Sequence, residues 1–328
     1  MVQIYSQQRF IFMALDPVHI GTGQTQIGRV DNTIVRETGT NIPKIPGTSL
    51  MGAARSYASL VYGKPEASGR HSKLDKDKKK ECPIIYTFGT DNYGITGQQG
   101  KISISDAQIL FFPVYSMAGP VWVSTYGILE SADFEVKISG SSSIHDGLAD
   151  DTIYTSLNWK QDTLNLGWLH LKSKTSLTVE QPSESENKKE WESIKEWESI
   201  KQRIVIVSNK LFSQIVNSNL EVRTSVAIDP KTGAAEDGAL FTYEAIPRAT
   251  WLWSDVVQDD YNYNNKKFPP TTKQFNEKGE NQGEQLPNPW DCPLDVVKSG
   301  FELMEFLGVG GMTTRGFGRV KCIANWRL

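Results

Sequence analysis

Three groups of residues in this 328-residue chain have types and spacings that could do chemistry. The first is the run from His19 to Arg55, HIGTGQTQIGRVDNTIVRETGTNIPKIPGTSLMGAAR. Gly21 and Gly23 punctuate a turn after an apolar strand, and a lone carboxylate, Asp31, follows in a loop of small and polar residues. The run closes on IPGTSLMGAAR, where Pro46-Gly47 breaks the chain and Thr48 or Ser49 is placed to cap a helix. N–H groups at a helix start favour an anion, and Arg55 lies about two turns further on. This reads as an anion cradle beside one carboxylate. The second group is GVGGMTTRGFGRV near the end of the chain, where glycines such as Gly311 allow close backbone approach and Arg315 and Arg319 suit phosphate charge. The third is His145 with Asp146, Asp150 and Asp151. Those are metal-binding types, but their spacing fits no standard ligand motif, so they read as a surface loop.

Several familiar chemistries are excluded. The glycine-rich segment has Walker spacing from Gly311 to Gly316, but Phe317 stands where the lysine must be. It also follows a helix and precedes a strand, the reverse of a phosphate loop's context. Gly47 to Gly52 has one residue too many for a G-x-S-x-G nucleophile elbow. There is no H-E-x-x-H, no C-x-x-C and no EF-hand loop, and the four histidines are scattered at positions 19, 71, 145 and 170.

The order H-x-G-x-G, then V-D-N-x-I-x-R-E, then I-P-G-T-S-L-x-G-x-x-R resembles the backbone subunit of type III CRISPR effector complexes, in the RAMP superfamily. GVGGMTTRGFGRV is a second match, and SDAQILFFPVYSMAGPVWVST looks like the Cmr (type III-B) branch. Weaker similarity lies around Ala239–Pro247. The resemblance covers the first third of the chain and its final segment. It departs at Met51, where the family usually has a basic residue, and at Asn32-Thr33, where a proline commonly follows the aspartate.

The resemblance implies a subunit that stacks with copies of itself and with other type III effector subunits along a guide RNA and cuts the paired target RNA. It makes Asp31 the catalytic residue and the expected ligand of a weakly bound Mg²⁺ or Mn²⁺. RNA carries its own nucleophile, the 2′-hydroxyl, so an enzyme needs mainly in-line geometry, help with one proton and charge stabilisation. The reaction implied is transesterification to a cyclic phosphate and a 5′-hydroxyl. His19, Lys44, Ser49, Arg55, Arg223, Gly311, Arg315 and Arg319 are the expected RNA contacts. Without the family, Asp31 reads as a loop aspartate bonded to its own backbone. The alternatives are a III-A or III-D counterpart, a non-cleaving RNA-binding filament, and a guide-processing endonuclease, which would want a histidine-centred site.

These residues need a scaffold to place them. The hydrophobic fraction is 38% and mean hydropathy is −0.39, as for a modest core carrying long polar insertions. A net charge of −3 argues against a generic nucleic-acid coat but leaves room for a narrow basic groove. No apolar run is long enough to span a membrane. The first residues lack a signal-peptide layout, and three distant cysteines, Cys82, Cys292 and Cys322, suggest reduced thiols in a cytoplasmic protein.

The patterning predicts strands over Arg9–Leu15, Lys101–Pro113, Val121–Leu129, Arg203–Val207 and Val320–Trp326. It predicts helices over Thr48–Val61, Lys210–Val216 and Leu294–Leu307. Insertions are expected at about 63–100, 131–203 and 255–293. The first carries Lys78–Lys80, which reads as a solvated run, and the last is polar throughout. The duplicated KEWESI hexapeptide reads as an exposed helix displaying Trp191 and Trp197. Glu221–Tyr243 predicts a long hairpin around a PKTG turn, with Val222, Val226, Ile228, Leu240 and Phe241 as an apolar spine. Two strand–helix units and a closing strand suggest one α+β domain over residues 1–328 with a split βαβ core, the ferredoxin-like, RNA-recognition-like architecture. The family adds a projecting thumb, about 221–245, and a fingers insertion.

Overall fold

The computed structural model describes residues 5–25, 30–69, 82–90, 99–139, 148–182, 194–259 and 292–328. At its centre the first strand, Tyr5–Ala14, pairs antiparallel with both Trp251–Asp259 and the last strand, Val320–Arg327. Trp251–Asp259 in turn pairs antiparallel with Ala107–Val114. The apolar runs RFIFMA and ILFF are continuous because both faces of this sheet are covered. Phe10 and Phe12 point to one core, where both meet the ring of Phe301 edge-on at 5.1 Å. Ile11, between them, belongs to a second core on the opposite face with Phe111, Trp197 and Trp251.

The first core is closed by helix α1, Gly47–Val61, and the helix Pro293–Glu302. Leu50, Ala54 and Ala58 are buried at helical spacing, and Gly300 fits because a Cβ there would lie 2.2 Å from the Ala54 carbonyl oxygen. The expected cap is corrected. The helix begins at Gly47 directly after Pro46, and neither Thr48 nor Ser49 caps it. The second long helix stops at Glu302, and a separate turn, Met304–Leu307, follows.

The described parts of residues 131–203 are more regular than the sequence suggests. Thr152–Thr155, Thr163–Leu166 and Leu169–Lys174 extend the central sheet beyond Val121–Ser124 and Ile204–Ile206. Val121–Leu129 is split, because the Thr125 hydroxyl accepts the Ile128 N–H at 3.2 Å and starts a helix over Tyr126–Ser131. The polar insertion begins later than residue 255, since the sheet strand runs to Asp259. Lys78–Lys80, His145, Asp146 and Trp191 lie outside the described residues.

The hexapeptide repeat is a clear correction. Its second copy is the helix Lys195–Ile200, and Trp197 is 3% exposed, packed among Phe111, Phe134 and Trp251 at 5.6–6.2 Å. Ile194, Trp197 and Ile200 recur every three residues, which places all three on one helix face. Glu196, off that face, pairs with Lys321 at 3.0 Å.

A second, four-stranded sheet stands against this body: Glu221–Ile228, Ala235–Ala245, Asn32–Ile34 and Gly21–Thr25. The first two strands are the expected hairpin. Asp229 organises its turn by accepting the Lys231 N–H at 2.8 Å and the Thr232 hydroxyl at 3.1 Å. The apolar spine is not one stripe. Val226 sits opposite Leu240 and Phe241 opposite Ser225, so Phe241 faces the other side. Ile228 is 60% exposed and Leu240 62%, so the turn end of the hairpin is left uncovered by the described residues. No helix among the described residues is long and apolar enough to cross a membrane.

Candidate nucleic-acid interface

Asp31 ends the loop that enters the short strand Asn32–Ile34, and that strand pairs with the hairpin in parallel at Asn32 and Tyr243. This register brings Asp31 to Thr242. The Asp31 N–H donates to Thr242 Oγ1 at 2.9 Å, while the Thr242 N–H and hydroxyl both donate to Asp31 Oδ2 at 2.8 Å. Oδ1 accepts no hydrogen bond from another described residue. The backbone N–H of Thr242, then its hydroxyl, hold the Asp31 carboxyl below its usual range, so it is ionised at neutral pH. Among the described residues no group of three or more His, Cys, Asp or Glu could hold an ion. What Asp31 offers is one carboxylate oxygen, Oδ1, to which no other described residue donates.

Alternate residues of the strand Ala235–Ala245 face opposite ways. On the Thr242 face, buried Glu244 accepts from Arg36 Nη2 at 2.6 Å and, at its other oxygen, from the Ile34 N–H at 3.3 Å. Arg36 Nε also donates to Asn217 Oδ1 at 2.9 Å. This network ties Asn32–Ile34 to the hairpin and to the helix Asn209–Ser218. On the other face Tyr243 meets the His19 ring edge-on at 6.1 Å, and its hydroxyl accepts from Arg315 Nη1 at 3.1 Å. His19 itself is buried, with Nδ1 2.6 Å from the Glu244 carbonyl oxygen. A donor is required there, so Nδ1 carries a proton.

Four arginines gather around this face. Arg223 stacks over the Phe317 ring at 4.8 Å and pairs with Glu221 at 2.5 Å. Arg319 grips Asp16 through Nε at 2.5 Å and Nη2 at 3.1 Å. The Asp16 carboxyl is held low first by that hydrogen bond, against its partial burial, and further by the charges of Arg319, Arg248 and Arg223. Arg223, Arg248, Arg315 and Arg319 are all exposed. The net charge of −3 thus coexists with a local basic patch.

Gly308, Gly310 and Gly318 make their close approach to protein, not to an open surface. A Cβ on Gly310 would lie 2.5 Å from the His19 carbonyl oxygen, and one on Gly318 2.5 Å from that of Val309; both have left-handed φ, +88° and +90°. The Gly311 N–H donates to the His19 carbonyl at 2.9 Å, so it is not open to a phosphate. The loop is therefore a clamp on His19 that carries Arg315 and Arg319 outward.

The start of α1 has the opposite character. Its first N–H, from Gly47, is taken by Asp106 Oδ1 at 2.7 Å. Lys44 lies between Glu37 at 2.7 Å and Asp106 at 2.6 Å, and those two carboxylates raise its pKa. Arg55 is 6% exposed and donates to the carbonyls of Ala67, Gly89 and Gly69 at 2.8–3.0 Å. Ser49, half-buried, donates its N–H to Pro46. Lys44 and Arg55, expected as RNA contacts, are thus engaged by the protein itself. Asp150 and Asp151 are likewise held, by Lys210 with Ser208 and by Lys172.

A profile of the RAMP superfamily matches residues 11–321. The chain belongs to that superfamily. This RAMP chain is 28% identical over 252 residues to the CRISPR system Cmr endoribonuclease Cmr4 of Pyrococcus furiosus, covering 74% of this chain and 78% of the relative. Its fold is similar to a cryo-EM structure of the type III-B Cmr-beta bound to cognate target RNA, with a TM-score of 0.57 at 15% identity over 97% of each chain. It is also similar to the crystal structure of oligomeric Cmr4 from Pyrococcus furiosus, with a TM-score of 0.52 at 19% identity over 98% of each chain. These neighbours establish a RAMP fold of mixed α and β content. Sequence reasoning missed Thr242, Tyr243, Glu244 and Arg248. The only signal was the weaker similarity around Ala239–Pro247, together with Arg36 in the R-E pair of the aspartate motif.

Proposed function

We propose that this chain is a repeated backbone subunit of a type III-B CRISPR ribonucleoprotein, which holds a guide RNA and cuts the paired target RNA at Asp31. One observation carries the catalytic part. An ionised carboxylate is fixed through one oxygen by Thr242 and leaves the other open, beside a strand whose next residue, Tyr243, meets an arginine patch. The likeness to a Cmr endoribonuclease over most of the chain supports the same reading. The central strand order, Ala107–Val114, Trp251–Asp259, Tyr5–Ala14, Val320–Arg327, with two helices on one face, supports a ferredoxin-like core.

The target's 2′-hydroxyl attacks the adjacent phosphorus, the bond to the 5′-oxygen breaks, and a cyclic phosphate and a 5′-hydroxyl remain. A carboxylate held below its usual range is a weak base near neutrality, so Asp31 acts mainly through fixed charge and orientation. Its open oxygen suits a hydrated Mg²⁺ or Mn²⁺ whose other ligands are waters and RNA phosphates, an ion that would neutralise developing charge on the phosphate. Arg223, Arg248, Arg315 and Arg319 bind backbone phosphates. The exposed apolar hairpin covers the guide–target duplex and opens it beside Asp31, freeing the scissile nucleotide to move its 2′-hydroxyl into line. Copies of the chain stack along the guide with other effector subunits.

The test is Asp31→Ala in the assembled complex. Target cleavage should fall about a hundredfold or more, with guide and target affinity unchanged, and EDTA should reproduce the loss. Cutting at the wild-type rate would overturn the assignment and place the cleaving group elsewhere, whereas a wild-type complex that never cuts would leave a purely structural RNA-binding filament.

A further inference from the structure

We infer that Thr242 is the positioning residue for Asp31, so that the hairpin strand sets the geometry of the cleaving carboxylate. The inference rests on the proposed role of Asp31 and adds a residue that the sequence motifs do not contain. Its basis is a closed set of three hydrogen bonds across 211 residues of sequence: Asp31 N–H to Thr242 Oγ1, and Thr242 N–H and O–H to Asp31 Oδ2. The hydroxyl serves as acceptor and donor at once, which threonine or serine can do and valine cannot. Both donors converge on one carboxylate oxygen. A bare hydrogen-bonded turn would not require that, and the arrangement fixes which oxygen remains for RNA or its ion.

The position of Thr242 on the strand gives the contact its significance. Leu240 and Phe241, exposed on the same strand, immediately precede it, and Glu244, two residues on, is locked to Arg36 at 2.6 Å. The strand is therefore anchored at one end, free to meet RNA at the other, and joined to Asp31 between the two. Whatever seats the hairpin on a duplex also places Asp31. A purely structural threonine would stabilise the sheet without affecting the reaction once the protein had folded.

The decisive substitution is Thr242→Val, with Thr242→Ser as the conservative rescue. Valine keeps the shape and the strand preference and retains the backbone N–H, so the fold persists while the hydroxyl is removed. Two measurements are needed. In the full chain, hydrogen exchange of the Asp31 amide should accelerate about tenfold or more in Thr242→Val and stay at the wild-type rate in Thr242→Ser. In the assembled complex, the single-turnover cleavage rate at saturating target should fall about ten- to a hundredfold in Thr242→Val, with target affinity unchanged, and recover in Thr242→Ser.

Unchanged exchange at Asp31 in Thr242→Val overturns the contact itself. Faster exchange with undiminished cutting, in a complex where Asp31→Ala does not cut, overturns the positioning role. Should Asp31→Ala itself cut normally, the proposed role of Asp31 fails, and the positioning role fails with it. The exchange measurement still decides whether Thr242 holds the loop.

Discussion

Two regions of the molecule, both carrying cations expected to bind anions, have opposite fates. Around Tyr243, the arginines at 223, 248, 315 and 319 reach the surface with few carboxylates to share among them. Around the start of α1, every comparable group is already answered: Gly47 N–H by Asp106, Lys44 by Asp106 and Glu37, Arg55 by three carbonyls. The residue types are the same in both places. The difference lies in the counter-groups that the fold brings up, and it separates cations that can exchange partners with RNA from cations that hold the chain together.

The sharpest break of this comparison is at Arg55. Arg55→Ala would strip two buried carbonyls, of Ala67 and Gly89, and the exposed Gly69 carbonyl of their donor and leave a cavity, so stability should fall by about 3 kcal/mol. The folded fraction should keep its RNA affinity. Denaturant unfolding beside RNA titration checks both, and a stable protein with weakened RNA binding would place Arg55 on the RNA side. Next is the exposed patch. Arg315→Ala and Arg248→Ala should each weaken RNA binding across all guide sequences and lower the salt slope by about one unit, with melting almost unchanged. Loss confined to particular guides would indicate base reading instead.

Lys44→Met should leave the salt slope of RNA binding unchanged, because the ammonium already has two carboxylate partners, and should cost about 1 kcal/mol of stability. A slope reduced by a full unit would move Lys44 into the RNA-binding set. The smallest effect concerns Asp16. Its folded pKa is depressed by Arg319, so the pair contributes stability above the unfolded carboxylate range, and that contribution is lost as pH falls through the depressed value. Melting temperatures of the wild type and Asp16→Asn should therefore differ slightly at neutral pH and converge in strongly acidic buffer. A gap that persists in acid would mean that the ion pair is not its source.

Much of the scaffold was legible because burial imposes period and composition locally. RFIFMA, ILFF and the Leu50–Ala54–Ala58 spacing each report a sheet or helix face directly. The hairpin was legible from its PKTG turn and alternating strands. Trp197 was not. Its exposure depends on whether a short helix finds Phe111, Phe134 and Trp251, which lie 63 or more, or 54, residues away along the chain in one direction or the other.

The sequence by itself determined the aspartate motif, the glycine-rich segment with its arginines, and most of the strands and helices that carry them, since each is written in neighbouring residues. Tertiary structure decided the partners. It paired Asp31 with Thr242, Arg36 with Glu244 and Gly311 with His19, all more than 200 residues apart, and it turned Arg55 inward. The physical reason is that charge and hydrogen-bonding capacity belong to a residue, whereas the group that satisfies them is set by which strands come to lie side by side.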